Sequence, residues 1–162
     1  MSYVERETST VIERFRTARR RPTAKGVLSC MVVSTDVNLC DLLQNAADKA
    51  GWKVDVFADA PKAQEAARHS RFRLALIDVS YDGASLSHVD QELCRSFARQ
   101  KGNLLVVCGK EDDAEVEIWA RSVGAWVHLA GPGNLSGLTK ICHEAAQLVS
   151  RWTKVEHVPA AV

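Results

Sequence analysis

The sequence predicts a three-layer α/β domain, a doubly wound five-stranded parallel sheet with an extra helix appended at the N-terminus. Short apolar runs rich in β-branched residues, such as "VLSCMVVS" and "FRLALIDV", alternate five times with segments whose apolar residues recur at helical spacing. The runs lack the in-out alternation of a half-solvated sheet, which signals burial on both faces and hence a parallel sheet between helical layers. Connections are short, and right-handed crossovers follow. The chain has 162 residues, 46% hydrophobic and 25% charged, as expected of one compact globular domain.

Residues 1–26 stand apart from that alternation. Val11, Ile12 and Phe15 have helical spacing, and Arg14, Arg16, Arg19, Arg20, Arg21 and Lys25 crowd the region of the breakers Pro22 and Gly26. This reads as a helix followed by a basic linker, and a solvated leader is the simplest role for such a charge run. The domain proper is expected over 27–152, with 153–162 as a C-terminal tail.

Within the domain, "VLSCMVVS" is the first strand. "TDVNLCDLLQNAADKAG" is the first helix, with Leu39, Leu42, Leu43, Ala46 and Ala50 on one side, Thr35 or Asp36 as cap and Gly51 as terminator. "WKVDVFA" is the second strand, and "DAPKAQEAARHS" the second helix, capped by Asp59 with Pro61 in its first turn. After "FRLALIDV" and the turn "SYDGAS", the segment "SHVDQELCRSFARQKG" sets Val89, Leu93 and Phe97 four apart on the apolar side of a third helix that ends at Gly102. "NLLVVCG" is the fourth strand. "EDDAEVEIWARSVGA" has an acidic first turn suited to the helix dipole, with Val116 or Ala120 and Val123 inward. "WVHLAG" is the fifth strand, and "NLSGLTKICHEAAQLVSRW" the closing helix, capped by Asn134.

The net charge of +1 excludes a global pull toward nucleic acid or anionic membrane and leaves the question to local patches. Cys30, Cys40, Cys94, Cys108 and Cys142 show neither CxxC nor zinc-ligand spacing; an odd number of thiols inside apolar runs suits a reducing cytosol. The polar start "MSYVERETST" lacks a secretory pattern, and no run reaches the roughly 18 apolar residues that span a bilayer. A cytoplasmic protein without membrane contact is expected. Walker, GxGxxG, GxSxG and HExxH patterns are missing, so no enzyme class is indicated.

In an open parallel sheet, binding groups lie past the carboxyl ends of the strands. Those positions are 34–36, 78–83, 108–110 and 130–133, and Asp78, at the end of an apolar run, is the conspicuous one. "LALIDVSYDG" and "SVGAWVHLAGP" resemble segments of the receiver domains of two-component response regulators, a bacterial signalling family that works in phosphorelays; the resemblance spans roughly 27–152. It implies strand order 2-1-3-4-5, with Asp78 at the phosphoacceptor position, Gly124 and Ala125 as the pair preceding the fifth strand, and Pro132 as the proline that follows it.

The same resemblance implies a set of partners for Asp78, and the sequence departs from it. The two Mg²⁺-binding acids fall on Ser34 and Thr35, the phosphoryl-binding hydroxyl on Cys108, and the lysine on Gly131. A hard cation needs several oxygen ligands in near-octahedral array, and a phosphoryl group needs counter-charge, so the expectation is a degenerate, non-catalytic pseudoreceiver without cofactor. Its work would be signalling or scaffolding through protein contacts. Asp78 then serves as a cap for the turn that follows.

Two alternatives stand beside this. Asp36, one position late, can join Asp78 and Asp82 around Mg²⁺ with Lys110 replacing the lysine, which gives a divergent phosphoacceptor. Or the segment "RFRTARRRPTAK" can bind nucleic acid, although it interleaves no aromatic beyond Phe15 and no recognition fold accompanies it, which puts nucleic acid last among partners. His128 stands where receivers carry a coupled aromatic residue; a structural imidazole is the first expectation and a protonation sensor the second. Trp119 and Trp126 flank the region that receivers use for dimerisation or effector docking. The implied partner is a protein, a second copy of the chain included.

Overall fold

The computed structural model describes residues 28–80, 86–131 and 133–156. The appended helix and basic linker expected at 1–26 lie outside the described residues, as do Asp82, Pro132 and residues 157–162. The elements are β1 (Ser29–Val33), α1 (Val37–Lys49), β2 (Lys53–Phe57), α2 (Ala60–His69), β3 (Leu74–Asp78), α3 (His88–Arg99), β4 (Leu104–Gly109), α4 (Ala114–Val123), β5 (Val127–Ala130) and α5 (Leu135–Glu156). All strand pairs are parallel, in the order β2-β1-β3-β4-β5.

The continuous apolar runs become strands because both their faces find helices. Successive residues of a strand point to opposite sides. Cys30, Val32, Leu74, Leu76 and Val106 therefore pack with Leu43, Ala46 and Cys142 of α1 and α5, while Met31, Val33, Ala75, Ile77 and Val107 pack with Ala63, Leu93 and Ala120 of α2, α3 and α4. Edge strand β2 is mostly solvated and carries Lys53 and Asp55, charges that discourage pairing with another chain.

The caps anticipated from sequence form. Asp36 Oδ1 accepts the N–H groups of Asn38 (2.9 Å) and Leu39 (3.2 Å), Asp59 accepts that of Lys62 (3.0 Å), and Asn134 accepts that of Gly137 (2.7 Å). Gly51, at φ +91°, ends α1 in a Schellman arrangement: Trp52 N–H donates to Ala47 O (3.1 Å) and Gly51 N–H to Asp48 O (3.1 Å). Gly124, at φ +95°, does the same for α4 through Ala125 and Ala120 (3.0 Å). A side chain at either glycine would force an L-residue into left-handed space.

Two details differ from expectation. Leu93 and Phe97 face the core, but Val89 is 40% exposed and Asp90 is buried in its place. Each four-residue step overshoots one helical revolution by about 40°, so two steps back from Phe97 carry residue 89 off the apolar stripe. Asp90 tolerates burial because the Ser87 hydroxyl donates to its Oδ2 (2.7 Å) while its own N–H donates to Ser87 Oγ (3.1 Å), a capping pair. The closing helix also continues to Glu156, four residues beyond Trp152.

The thiols lie as the apolar runs imply: Cys30, Cys94, Cys108 and Cys142 are buried, and Cys40 is half-buried. Burial pushes the Cys94 and Cys108 thiols up from 9.0 to about 12 and that of Cys142 to about 11. A thiol held protonated in the fold but free to ionise when unfolded contributes stability that is complete below pH 9 and is lost as pH rises toward the folded value. Urea unfolding is therefore expected to be level from pH 7 to 9 and to weaken between pH 9 and 12. Replacing Cys94 and Cys108 by alanine should flatten that decline; an unchanged slope would exclude these two thiols as its cause.

Candidate functional site

β1, β3 and β4 end side by side, so the residues just beyond them share one corner of the sheet. Asp78, the last residue of β3, is 3% exposed. The register sets it beside Cys108 of β4 and brings Ser34, just past β1, to its other flank. The Ser34 hydroxyl donates to Asp78 Oδ2 at 2.7 Å. Asp78 Oδ1 accepts the Ser80 backbone N–H at 2.9 Å and also the Ser80 hydroxyl. Both carboxylate oxygens are thus engaged by donors of the chain, and the bond to Ser80 N–H closes the turn after β3 as Asp characteristically does.

The neighbours reinforce this inward arrangement. Ser34 is 5% exposed, and its Oγ accepts the Asp36 N–H at 3.0 Å. Thr35 is exposed, and Asp36 spends Oδ1 on the α1 cap, where the two N–H groups and the helix dipole hold it. Burial, with the Asp78 carboxylate adding to it, keeps the Cys108 thiol protonated up to about 12. Gly131 brings no cation; it turns at φ +88°, and its N–H donates to Gly109 O at 3.0 Å.

Above this corner is a cleft of about 380 Å³ walled by Asp36, Ser80, Cys108, Lys110, Glu111 and Gly131. Asp78 lies beneath it, under Ser80, rather than on its wall. The residues that a receiver uses for Mg²⁺ do not fit that ion here: Ser34 and Thr35 are neutral, Asp36 caps a helix, and both oxygens of Asp78 are engaged by Ser34 and Ser80. Among the described residues, no group of three His, Cys, Asp or Glu side chains is placed to hold a metal. Ser80 is the residue that sequence reasoning missed. Its signal was present in the Asp-x-Ser spacing, which lets a carboxylate reach the N–H two residues on.

Solved structures share this architecture. A CheY-like response regulator receiver domain protein from Methanospirillum hungatei superposes with a TM-score of 0.62 at 18% identity, covering 77% of this chain and 98% of its own. The chain has the receiver fold. The chemotaxis response regulator CheY4 of Vibrio cholerae matches at TM-score 0.60 and 20% identity, over 74% of this chain and 98% of that one. The receiver domain of NtrX from Brucella abortus matches at 0.61 and 21%, over 73% and 98%. No family model and no curated relative matches the sequence. Among the described residues, no helix is long and apolar enough to cross a membrane.

On the β5 side of this receiver fold, the side chains singled out from sequence divide between two faces. Val127 and Leu129 pack toward α1 and α5, so His128 points the other way, toward α4. Its Nε2 is buried without a hydrogen-bond partner and lies 3.0 Å from where a Cβ on Gly109 would sit, so a side chain at 109 would press on the imidazole. Trp119 packs with Val116 and Val123 on that same side, its Nε1 also buried and unbonded, whereas Trp126 packs on the opposite cluster. The two tryptophans therefore do not form one patch. The apolar side chain that α4 presents to solvent is Ile118, 69% exposed.

Proposed function

We propose that the chain is a receiver-like signalling or scaffolding module that is not phosphorylated and acts through contacts with other proteins. The observation that carries this is the state of Asp78: buried, both oxygens bonded to Ser34 and Ser80, with a thiol at 108 and a glycine at 131. Phosphoryl transfer is positioning plus charge stabilisation. Removing one such electrostatic partner typically costs about 3–4 kcal/mol of barrier, and here the acid pair, the hydroxyl and the lysine are all replaced. The α4–β5–α5 face, with Ile118 outward, is the surface we assign to a protein partner, a second copy included.

The test is incubation of the full chain with acetyl phosphate and Mg²⁺, read by intact mass. No phosphorylated species is expected; one that forms and disappears in Asp78→Asn would overturn the proposal. A divergent phosphoacceptor is the second reading, favoured by Lys110 on the cleft wall beside Ser80 and Gly131. It requires Ser34 and Ser80 to release Asp78, so the same experiment repeated on Ser80→Ala decides it: a species that then appears and needs Lys110 would establish this reading.

A further inference from the structure

We propose that the amino edge of the sheet, opposite the Asp78 cleft, is a cationic surface that binds single-stranded nucleic acid. The surface shares only the last turns of α5 with the α4–β5–α5 face, and the inference does not depend on whether Asp78 reacts.

In this fold every helix runs back from the carboxyl edge of the sheet to the amino edge, so helix ends and the connections into strands gather there. The connections 50–52, 70–73, 100–103 and 124–126 carry Arg71, Arg73 and Lys101 and no Asp or Glu. At the carboxyl edge the balance reverses: 34–36, 58–59 and 110–113 carry Asp36, Asp59, Glu111, Asp112 and Asp113 against Lys110. A chain of net charge +1 is thus polarised end to end. Basic residues in last helical turns complement the helix dipole and by themselves signify little. The loop cations have no such explanation.

These cations are neighbours. The Arg71 guanidinium donates to Lys101 O at 3.2 Å, Arg73 N–H donates to Ser29 O at 2.9 Å, and Lys53 N–H donates to Leu28 O at 2.8 Å, which sets them in a row along the edge. Arg68 and Arg121 are paired with Glu65 (3.4 Å) and Glu117 (2.7 Å), whereas Lys49, Arg99 and Lys101 have no carboxylate at ion-pair distance among the described residues. Clustered like charges favour a polyanion, and a phosphodiester strand supplies evenly spaced ones.

An exposed aromatic ring is supplied by α5. This helix has 22 residues against 13 in α1, so at about 1.5 Å per residue its last turns run past the amino edge. There Trp152, 39% exposed, lies between exposed Arg151 and Lys154. An exposed ring among cations is the arrangement that stacks an unpaired base while its phosphates are neutralised. A membrane is disfavoured, because insertion needs a continuous apolar patch. The other exposed large apolar residues, Val37, Val56, Val89 and Ile118, lie toward the carboxyl edge or along α4.

The test uses the full-length chain and a labelled single strand of about 20 nucleotides, in DNA and RNA arms, read by fluorescence anisotropy. Binding is expected in at least one arm and should weaken at least tenfold between about 50 and 200 mM salt. Arg99→Glu with Lys101→Glu should weaken it about tenfold and flatten the salt dependence. Trp152→Ala should weaken it about fivefold or more, whereas Lys62→Glu, an exposed reversal in the first turn of α2, should leave it unchanged. The proposal is overturned by absence of binding at low salt, or by equal competition from poly-glutamate or vesicles of anionic phospholipid. It is also overturned if affinity vanishes on removal of residues 1–26 but ignores the Arg99, Lys101 and Trp152 substitutions.

Discussion

Trp52→Ala is expected to lower the stability of the fold by about 3–5 kcal/mol. The indole is 3% exposed in the cluster that α1 and α5 make with the sheet, and its Nε1 donates to Cys142 O at 2.8 Å. The backbone of the same residue closes α1, through its N–H on Ala47 O. One residue therefore joins the end of α1, the start of β2 and the middle of α5, the last of these through its side chain. Deleting it removes a large buried apolar surface and leaves a cavity that a close-packed interior cannot fully collapse. Trp52→Phe keeps a ring but forfeits the hydrogen bond, for a smaller loss of about 1–2 kcal/mol. Urea unfolding of both variants is the measurement; a loss below 1 kcal/mol for the alanine variant would mean that Trp52 is not the tie described.

Asp78→Ala is expected to cost about 2–4 kcal/mol, because it strips the acceptor from the Ser34 hydroxyl, the Ser80 hydroxyl and the Ser80 N–H at once. The Ser80 N–H and hydroxyl then lose their acceptor at a part-buried site, and the Ser34 hydroxyl is left with its longer contact to Asp36 O at 3.3 Å. Asp78→Asn should cost less: its amide oxygen can still accept from one side, but its NH₂ confronts a donor on the other. The sign of the effect separates the two readings of the site. A carboxylate retained for structure destabilises when removed, whereas one held ready for reaction at the expense of the fold leaves a more stable protein. Thermal unfolding of Asp78→Ala with a raised midpoint would therefore argue for a reactive Asp78, independently of the acetyl phosphate experiment.

How far the sequence could be read depended on whether the determining physics was local. Capping by Asp36, Asp59 and Asn134 and termination at Gly51 and Gly124 involve atoms a few residues apart, so the residue type declares the geometry. That Ser34, Cys108 and Gly131 come together at the corner that holds Asp78 was legible for a different reason: strand ends of a parallel sheet converge. Ser80 escaped, because whether a hydroxyl turns toward Asp78 or toward solvent depends on what surrounds the turn. Val89 failed by phase, an angular drift that spacing alone conceals.

By itself the sequence determined the order and kind of every described element, since burial on both faces and helical periodicity are written in consecutive residues. Only the tertiary structure decided that Ser34 engages Asp78, because that bond joins residues that meet through sheet register. It likewise set Trp119 and Trp126 on opposite faces. Arg71, Lys101 and Trp152 are far apart along the chain, and the return of each helix to the same edge of a parallel sheet is what gathers them at one end.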